Sequence, residues 1–308
     1  MMRLRNKTNE IKTDAVNSGA ISVKLGDLDF ILPPNSVIET GKTLRIKQKG
    51  ASKCRNRTVE KALFEAVKHC GDFDAVLISG GIDSSVLAVM AKTIRKDCAF
   101  ISVGFEDSED IKYARILCER LKVPMSAVII RNEDVLDAVN SLKRMNLDTY
   151  NIILGVVEYI AVSYARSKGY HRVVSGLGSD ELFFGFRRHK DLAKGALTEY
   201  RLSRLFYLSA TDLLRIRILS EHTGVNILTP YLDDSVIKSA LRLNVDRMRN
   251  NSGSKIIIRR IGKKLGLGNL LSSRHKRAMQ YGSGVIKSLE RLSKMDKIKN
   301  VGDFINSI

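Results

Sequence analysis

Ala75-Val76-Leu77-Ile78-Ser79-Gly80-Gly81-Ile82-Asp83-Ser84-Ser85 reads as a short apolar run, a glycine-centred loop and the opening of a helix. Residues 75–78 have the length and composition of a strand buried on both faces. Helical periodicity takes over at about residue 84 and runs to 96. Between the two, small residues let a polyphosphate approach the backbone closely. The helix N-terminus offers unpaired N–H groups and a partial positive charge, and Ser79, Ser84 and Ser85 add hydroxyls. Asp83 is out of place in an anion site unless it holds a cation, and Mg²⁺ bound to a polyphosphate supplies that reason. A lone Gly-Gly would be an ordinary turn with a serine cap. Seven such residues in a strand–loop–helix setting argue for more. A Walker-type loop is not the explanation: the only Gly-Lys-Thr, at 41–43, has Ser36 where the first glycine belongs.

Working outward, the same alternation repeats. Residues 99–103 and 127–130 read as strands, and 109–121 as a helix with Ile111, Ala114, Leu117, Cys118 and Leu121 inward. Helical stretches follow at 133–143 and 151–168, then a fourth strand at 172–175. Short apolar strands alternating with helices predict an α/β fold with a doubly wound parallel sheet. Helical periodicity begins near Thr58, with Val59, Ala62, Leu63, Ala66 and Val67 on one face. Upstream, 20–49 alternate in short β-like runs punctuated by Pro33-Pro34-Asn35 and Thr40-Gly41-Lys42, which predicts a small antiparallel appendage. Residues 1–18 read as polar and loose. From about 189 the pattern is helical, with no further strand expected. The chain thus divides into an appendage over 1–53 and a main domain over 54–308.

Composition narrows the function classes. With 308 residues and 44% hydrophobic content, a substantial core is expected. There is no Trp, and aromatics make up 6%, so stacking platforms for single-stranded nucleic acid are not a theme. No stretch reaches the roughly 18 apolar residues of a membrane span, and the N-terminus lacks a signal-peptide run; a cytoplasmic protein without a membrane partner is expected. Cys54, Cys70, Cys98 and Cys118 form no CxxC pair, and the five histidines are scattered, so neither a zinc cluster nor a redox pair is read. The net charge of +19 is uneven: residues 1–58 carry 12 basic and 5 acidic groups, 59–241 carry 24 of each, and 242–299 carry 16 and 3. Arg259, Arg260, Lys263 and Lys264 in the last segment read as an approach for an anionic partner.

The 79–85 string resembles the signature of the PP-loop, or ATP pyrophosphatase, superfamily. A second string, Ser175-Gly176-Leu177-Gly178-Ser179-Asp180-Glu181-Leu182-Phe183-Phe184-Gly185-Phe186, follows the fourth strand. It is similar to the SGxGSDExFxGY motif of asparagine synthetases. Three further stretches resemble that family in order: Val103-Gly104-Phe105-Glu106 with the helix after it, Leu228-Thr229-Pro230-Tyr231-Leu232-Asp233, and Arg274-His275-Lys276 through Gly284. Ile31-Leu32-Pro33-Pro34-Asn35 resembles the tail of the family's glutaminase domain. About 250 residues are covered.

The resemblance implies a PP-loop/HUP-like fold and an ATP-dependent ligase that forms an acyl-adenylate, releases pyrophosphate and makes an amide from ammonia or an amine. Ile78, Val103, Gly104, Ser175 and Gly176 would contact the nucleoside and α-phosphate, and Ser79, Gly80, Gly81, Asp83, Ser84 and Ser85 the pyrophosphate moiety. Asp83 and Asp180 would bind Mg²⁺. Lys276 would neutralise charge at the α-phosphate, with Asp180, Glu181 and Asp233 as further catalytic carboxylates. Residue 2 is Met where glutamine-dependent members carry a catalytic Cys, so ammonia is expected from solution, from an amine, or from an ammonia-supplying or substrate-carrying partner. Leu177 stands where the family has Glu, and an apolar side chain is no general base. A second reading, favoured by the basic ends, is a PP-loop enzyme modifying tRNA or another RNA through an adenylated intermediate.

Overall fold

A computed structural model of the chain describes five N-terminal strands (11–15, 21–25, 28–32, 36–39 and 45–48) and residues 58–186, 192, 196–244, 248, 255–274 and 278–308. The N-terminal strands are β1 (Ile11–Ala15), β2 (Ile21–Leu25), β3 (Leu28–Leu32), β4 (Ser36–Glu39) and β5 (Arg45–Gln48). β1, β2 and β3 form one antiparallel sheet, and β4 pairs with β5 antiparallel. The antiparallel expectation is met, but strand structure begins earlier than expected, inside the polar stretch read as loose.

Two compact units are present. The first comprises Met1–Ala66, Leu177–Leu214 and Pro230–Ile257; the second comprises Val67–Gly176, Arg215–Thr229 and Ile258–Ile308.

The second unit is built on β6 (Ala75–Leu77), β7 (Ala99–Gly104), β8 (Ser126–Ile129), β9 (Arg172–Val174) and β10 (Asn226–Leu228). They pair in parallel in the order β10-β9-β6-β7-β8. The order reverses at β6: the chain moves outward through β7 and β8, then returns to β9 and β10 on the other side. That is the doubly wound topology expected, and its switch point lies between β6 and β9, where such sheets bind ligands. Burial tracks position. β7, inside the sheet, buries all but its first residue, while β8 at the edge buries none completely. β10 corrects the expectation that no strand follows 189. Three residues carry no readable period, and what makes them a strand is their pairing with β9.

The helices are α1 (Val59–His69), α2 (Ile82–Ile94), α3 (Glu109–Leu121), α4 (Asn132–Arg144), α5 (Thr149–Ser167), α6 (Ser179–Leu182), α7 (Leu197–Ala210), α8 (Asp212–Thr223), α9 (Asp234–Leu241), α10 (Ile256–Lys264), α11 (Gly268–Ser273), α12 (Met279–Gly282), α13 (Val285–Met295) and α14 (Val301–Ser307). Sequence signals explain several starts. Ser108, Asp148 and Asn300 cap α3, α5 and α14 by accepting from the backbone N–H three residues on. Among the described residues, no helix is long and apolar enough to cross a membrane.

Candidate active site

The phosphate loop leaves β6 at the switch point and enters α2. Gly80 has φ +64, and a Cβ there would lie 2.4 Å from the backbone carbonyl carbon of Tyr113 on α3. Only glycine fits both the left-handed conformation and that approach. The loop is closed by its serines. Ser79 N–H donates to Ser84 Oγ at 3.1 Å, Gly81 N–H to Ser79 Oγ at 3.3 Å, and Ser84 Oγ to the Gly81 carbonyl at 3.2 Å. Gly81 is the N-cap of α2 and has no side chain with which to cap it. The first-turn N–H groups of a helix have no partner within the helix, so an end of this kind suits an anion.

Ser79, Gly81 and Asp83 are half-buried, whereas Ser84 is buried and Ser85 is completely so. Ile78 and Val103 are buried at the C-terminal ends of β6 and β7. Ser175 and Gly176, at the end of β9, are half-buried. A Cβ on Gly176 would stand 3.7 Å from both the Asp83 Cβ and the Ser84 nitrogen. The glycine therefore leaves open the space over α2's N-terminus that a side chain would fill. This donor set fits a polyphosphate. Among the described residues, no group of three His, Cys, Asp or Glu could hold a metal, but Mg²⁺ on a polyphosphate needs only one or two carboxylates.

Arg274 braces this loop and Arg259 holds Arg274's backbone, roles that the sequence did not indicate. Arg274 donates from Nη1 to the Ser79 carbonyl at 2.6 Å and from Nη2 to Asp110 Oδ1 at 2.8 Å, with its guanidinium 4.2 Å from the Tyr113 ring centre. Arg259 donates to the carbonyls of Ser272 and Arg274 at 2.5 and 2.9 Å. Burial lowers its pKa, and the Asp83 charge pulls it back up. Of the four basic residues expected to line an approach, Arg259 is thus spent on internal carbonyls; Arg260, Lys263 and Lys264 are exposed. Lys276, with its neighbours 275 and 277, lies outside the described residues.

The remaining predicted carboxylates lie in the first unit. Asp180, in α6, forms an ion pair with Lys255 Nζ at 2.6 Å, and the lysine side chain is completely buried. A Cβ at Gly185 would lie 1.6 Å from Asp180 Oδ1, so a glycine is required for the chain to fold over this pair. Asp233 caps α9, its Oδ1 accepting from Ser235 N–H at 2.8 Å and from Ser235 Oγ at 2.5 Å. Glu181 is buried, with Arg204 3.9 Å away. Burial pushes its carboxyl up to about 7; Asp212 adds to the rise, while Arg204 and Lys255 oppose it.

Glu181 sets a pH dependence. Between about 4.5, the ordinary value, and about 7 the folded state keeps a proton that the unfolded chain has lost. Stability therefore falls as pH rises through that window, by at most about 3 kcal/mol. Glu181→Gln should melt like the parent near pH 5 and above it near pH 8, read by thermal unfolding at about those two values. Elsewhere, burial raises Cys98 to about 11 and Cys118 to about 12, so neither is a nucleophile at neutral pH.

A glycine–serine loop opens an uncapped helix at the switch point of a doubly wound parallel sheet, which makes this an α/β domain with a candidate anion-binding loop. Residues 58–205 match the asparagine synthase family model. The chain is similar to asparagine synthetases over most of its length. It is 25% identical over 292 residues to a protein of Methanocaldococcus jannaschii provisionally named glutamine-hydrolysing asparagine synthetase 1, covering 82% of this chain and 54% of that protein. It is 27% identical to the glutamine-hydrolysing asparagine synthetase B of Escherichia coli, covering 57% of this chain and 35% of that one. The chain thus spans between about a third and about half the length of these relatives. Among solved structures, the NMN synthetase of Francisella tularensis aligns over 81% of this chain and 92% of its own, with 12% identity and a TM-score of 0.39, a likeness that bears no functional argument.

Proposed function

We propose that this domain uses ATP to activate a carboxylate and then forms an amide. The observation that carries the reading is the uncapped N-terminus of α2, behind the Ser79–Ser84 loop and under the open space left by Gly176. In the proposed reaction a carboxylate oxygen attacks the α-phosphorus and the bond to the β-phosphate breaks. Pyrophosphate leaves, and an acyl-adenylate remains. An amine nitrogen then attacks the acyl carbon, loses its proton, and AMP departs.

The residues divide this work by charge. The loop and the α2 N-terminus would take the leaving pyrophosphate, since fixed N–H dipoles stabilise charge without reorganising. Asp83 is proposed as a magnesium ligand; the ion would add Lewis acidity at the phosphates. Lys276 is proposed to meet the charge that develops at the α-phosphate. Asp180, held by Lys255, and Glu181 are proposed as the carboxylates of the acyl-transfer half. Asp233 is proposed to support that half through the cap it gives α9. Leu177 in place of a carboxylate favours an amine that arrives already neutral, or an acyl group with an apolar part, over ammonium and aspartate.

The test is product analysis with ATP labelled at the α-phosphate, followed by an ATP–pyrophosphate exchange screen over carboxylates. Label in AMP, together with carboxylate-dependent exchange, is expected. Label in ADP would overturn the reading.

A further inference from the structure

We propose that Arg274 is a positioning residue for the ATP site: it sets the conformation of the phosphate loop, and nucleotide affinity depends on it. The inference rests on the reading of 79–85 as an ATP loop. It assigns a role to a residue outside that loop, 195 positions away in the chain.

Three contacts converge on one guanidinium. Nη1 holds the Ser79 carbonyl at 2.6 Å, Nη2 holds Asp110 Oδ1 at 2.8 Å, and the face lies over Tyr113 at 4.2 Å. Each contact fixes a different degree of freedom. The Ser79 carbonyl belongs to the peptide that enters Gly80, so holding it fixes the plane from which the left-handed turn departs. Tyr113 is the residue whose backbone Gly80 packs against, so the same side chain secures both surfaces of that approach. Asp110 orients the guanidinium from α3's first turn, and Glu109 lies 3.7 Å from the same nitrogen.

The energetics argue that this is more than a brace. The Arg274 and Asp110 side chains are each only 5% exposed. A buried ion pair regains little more than it loses on leaving water, and apolar residues of similar volume do as well or better for stability. What a planar, multiply donating group does better is to hold a carbonyl, a carboxylate and an aromatic face in one fixed geometry. Here that geometry ends on the loop proposed to bind ATP. The carbonyl of Arg274 is itself held by Arg259 at 2.9 Å, so the clamp is anchored at its own backbone.

The test uses two variants, each assayed by calorimetric titration with ATP in the presence of magnesium, by pyrophosphate exchange and by thermal unfolding. Arg274→Lys keeps the charge but has a single donor head that cannot make the three contacts together. The double variant Arg274→Gln/Asp110→Asn removes both buried charges at once, so no unpaired charge remains to unfold the protein. Both variants should raise the ATP Kd and KM by about 10- to 100-fold, leave kcat within about threefold, and melt near the parent temperature. ATP affinity within about twofold of the parent in both variants would overturn the proposal, as would a loss of kcat with KM unchanged. The ATP-binding arm stands apart from the products: a parent that binds ATP but yields ADP refutes the proposed function, and the variants still decide the role of Arg274.

Discussion

Lys276→Ala should lower ATP–pyrophosphate exchange by about two to three orders of magnitude while the thermal midpoint stays within a degree or two of the parent. The size follows from where charge develops. In the proposed reaction, as a carboxylate oxygen attacks the α-phosphorus, negative charge gathers on the phosphate oxygens before pyrophosphate has left. A cation in a site that excludes water meets that charge at far lower effective dielectric than solvent would. Truncating the ammonium removes this stabilisation from the transition state more than from bound ATP, so kcat should fall further than KM rises. Lys276→Arg should recover only part of the rate, because a planar guanidinium cannot occupy the position of a compact ammonium. Exchange near the parent level in Lys276→Ala would leave this lysine as one more charge in a basic run of the sequence.

Gly80→Ala should abolish measurable exchange and lower stability by roughly 2–4 kcal/mol. The left-handed φ of +64 already penalises any residue with a Cβ. The added methyl carbon would fall 2.4 Å from the backbone of Tyr113, which cannot swing aside as a side chain could. Relief requires the loop to lift away from α3, taking the Ser79 carbonyl from Arg274 and turning the N–H groups of the loop. Thermal unfolding and exchange measured together check it. A variant that melts like the parent and exchanges normally would show that the loop does not need this close approach.

Much of the structure of the candidate phosphate loop was legible in the sequence because it is local. The strand, the glycines, the serine hydroxyls and the helix start are contiguous within 75–85, and local conformational preference is what sequence periodicity reports. The parallel sheet was legible for the same reason: β6, β7 and β8 are each a short apolar run followed by a helix of thirteen residues. β10 was not, since Asn226-Ile227-Leu228 is too short to show a period and becomes a strand only against β9. The cap made by Asp233 was also hidden, because an Asp before a helix and an Asp in a family motif look alike until its partner is seen in Ser235.

By itself the sequence determined the strand–loop–helix at 75–85, the doubly wound parallel character of the sheet and the chemical type of the residues in both loops. These depend on near neighbours and on hydrophobic period. Only the tertiary structure decided that Arg274 closes on Ser79, that Lys255 is buried against Asp180, that Arg259 is spent on backbone carbonyls and that Glu181 holds its proton to about 7. In a sequence, Arg259 and Arg274 are two charges in a basic run, and Glu181 is an acid like any other. Long-range packing removes water from some of these groups and sets a particular partner beside others, and burial together with proximity decides which charges are solvated and which are used.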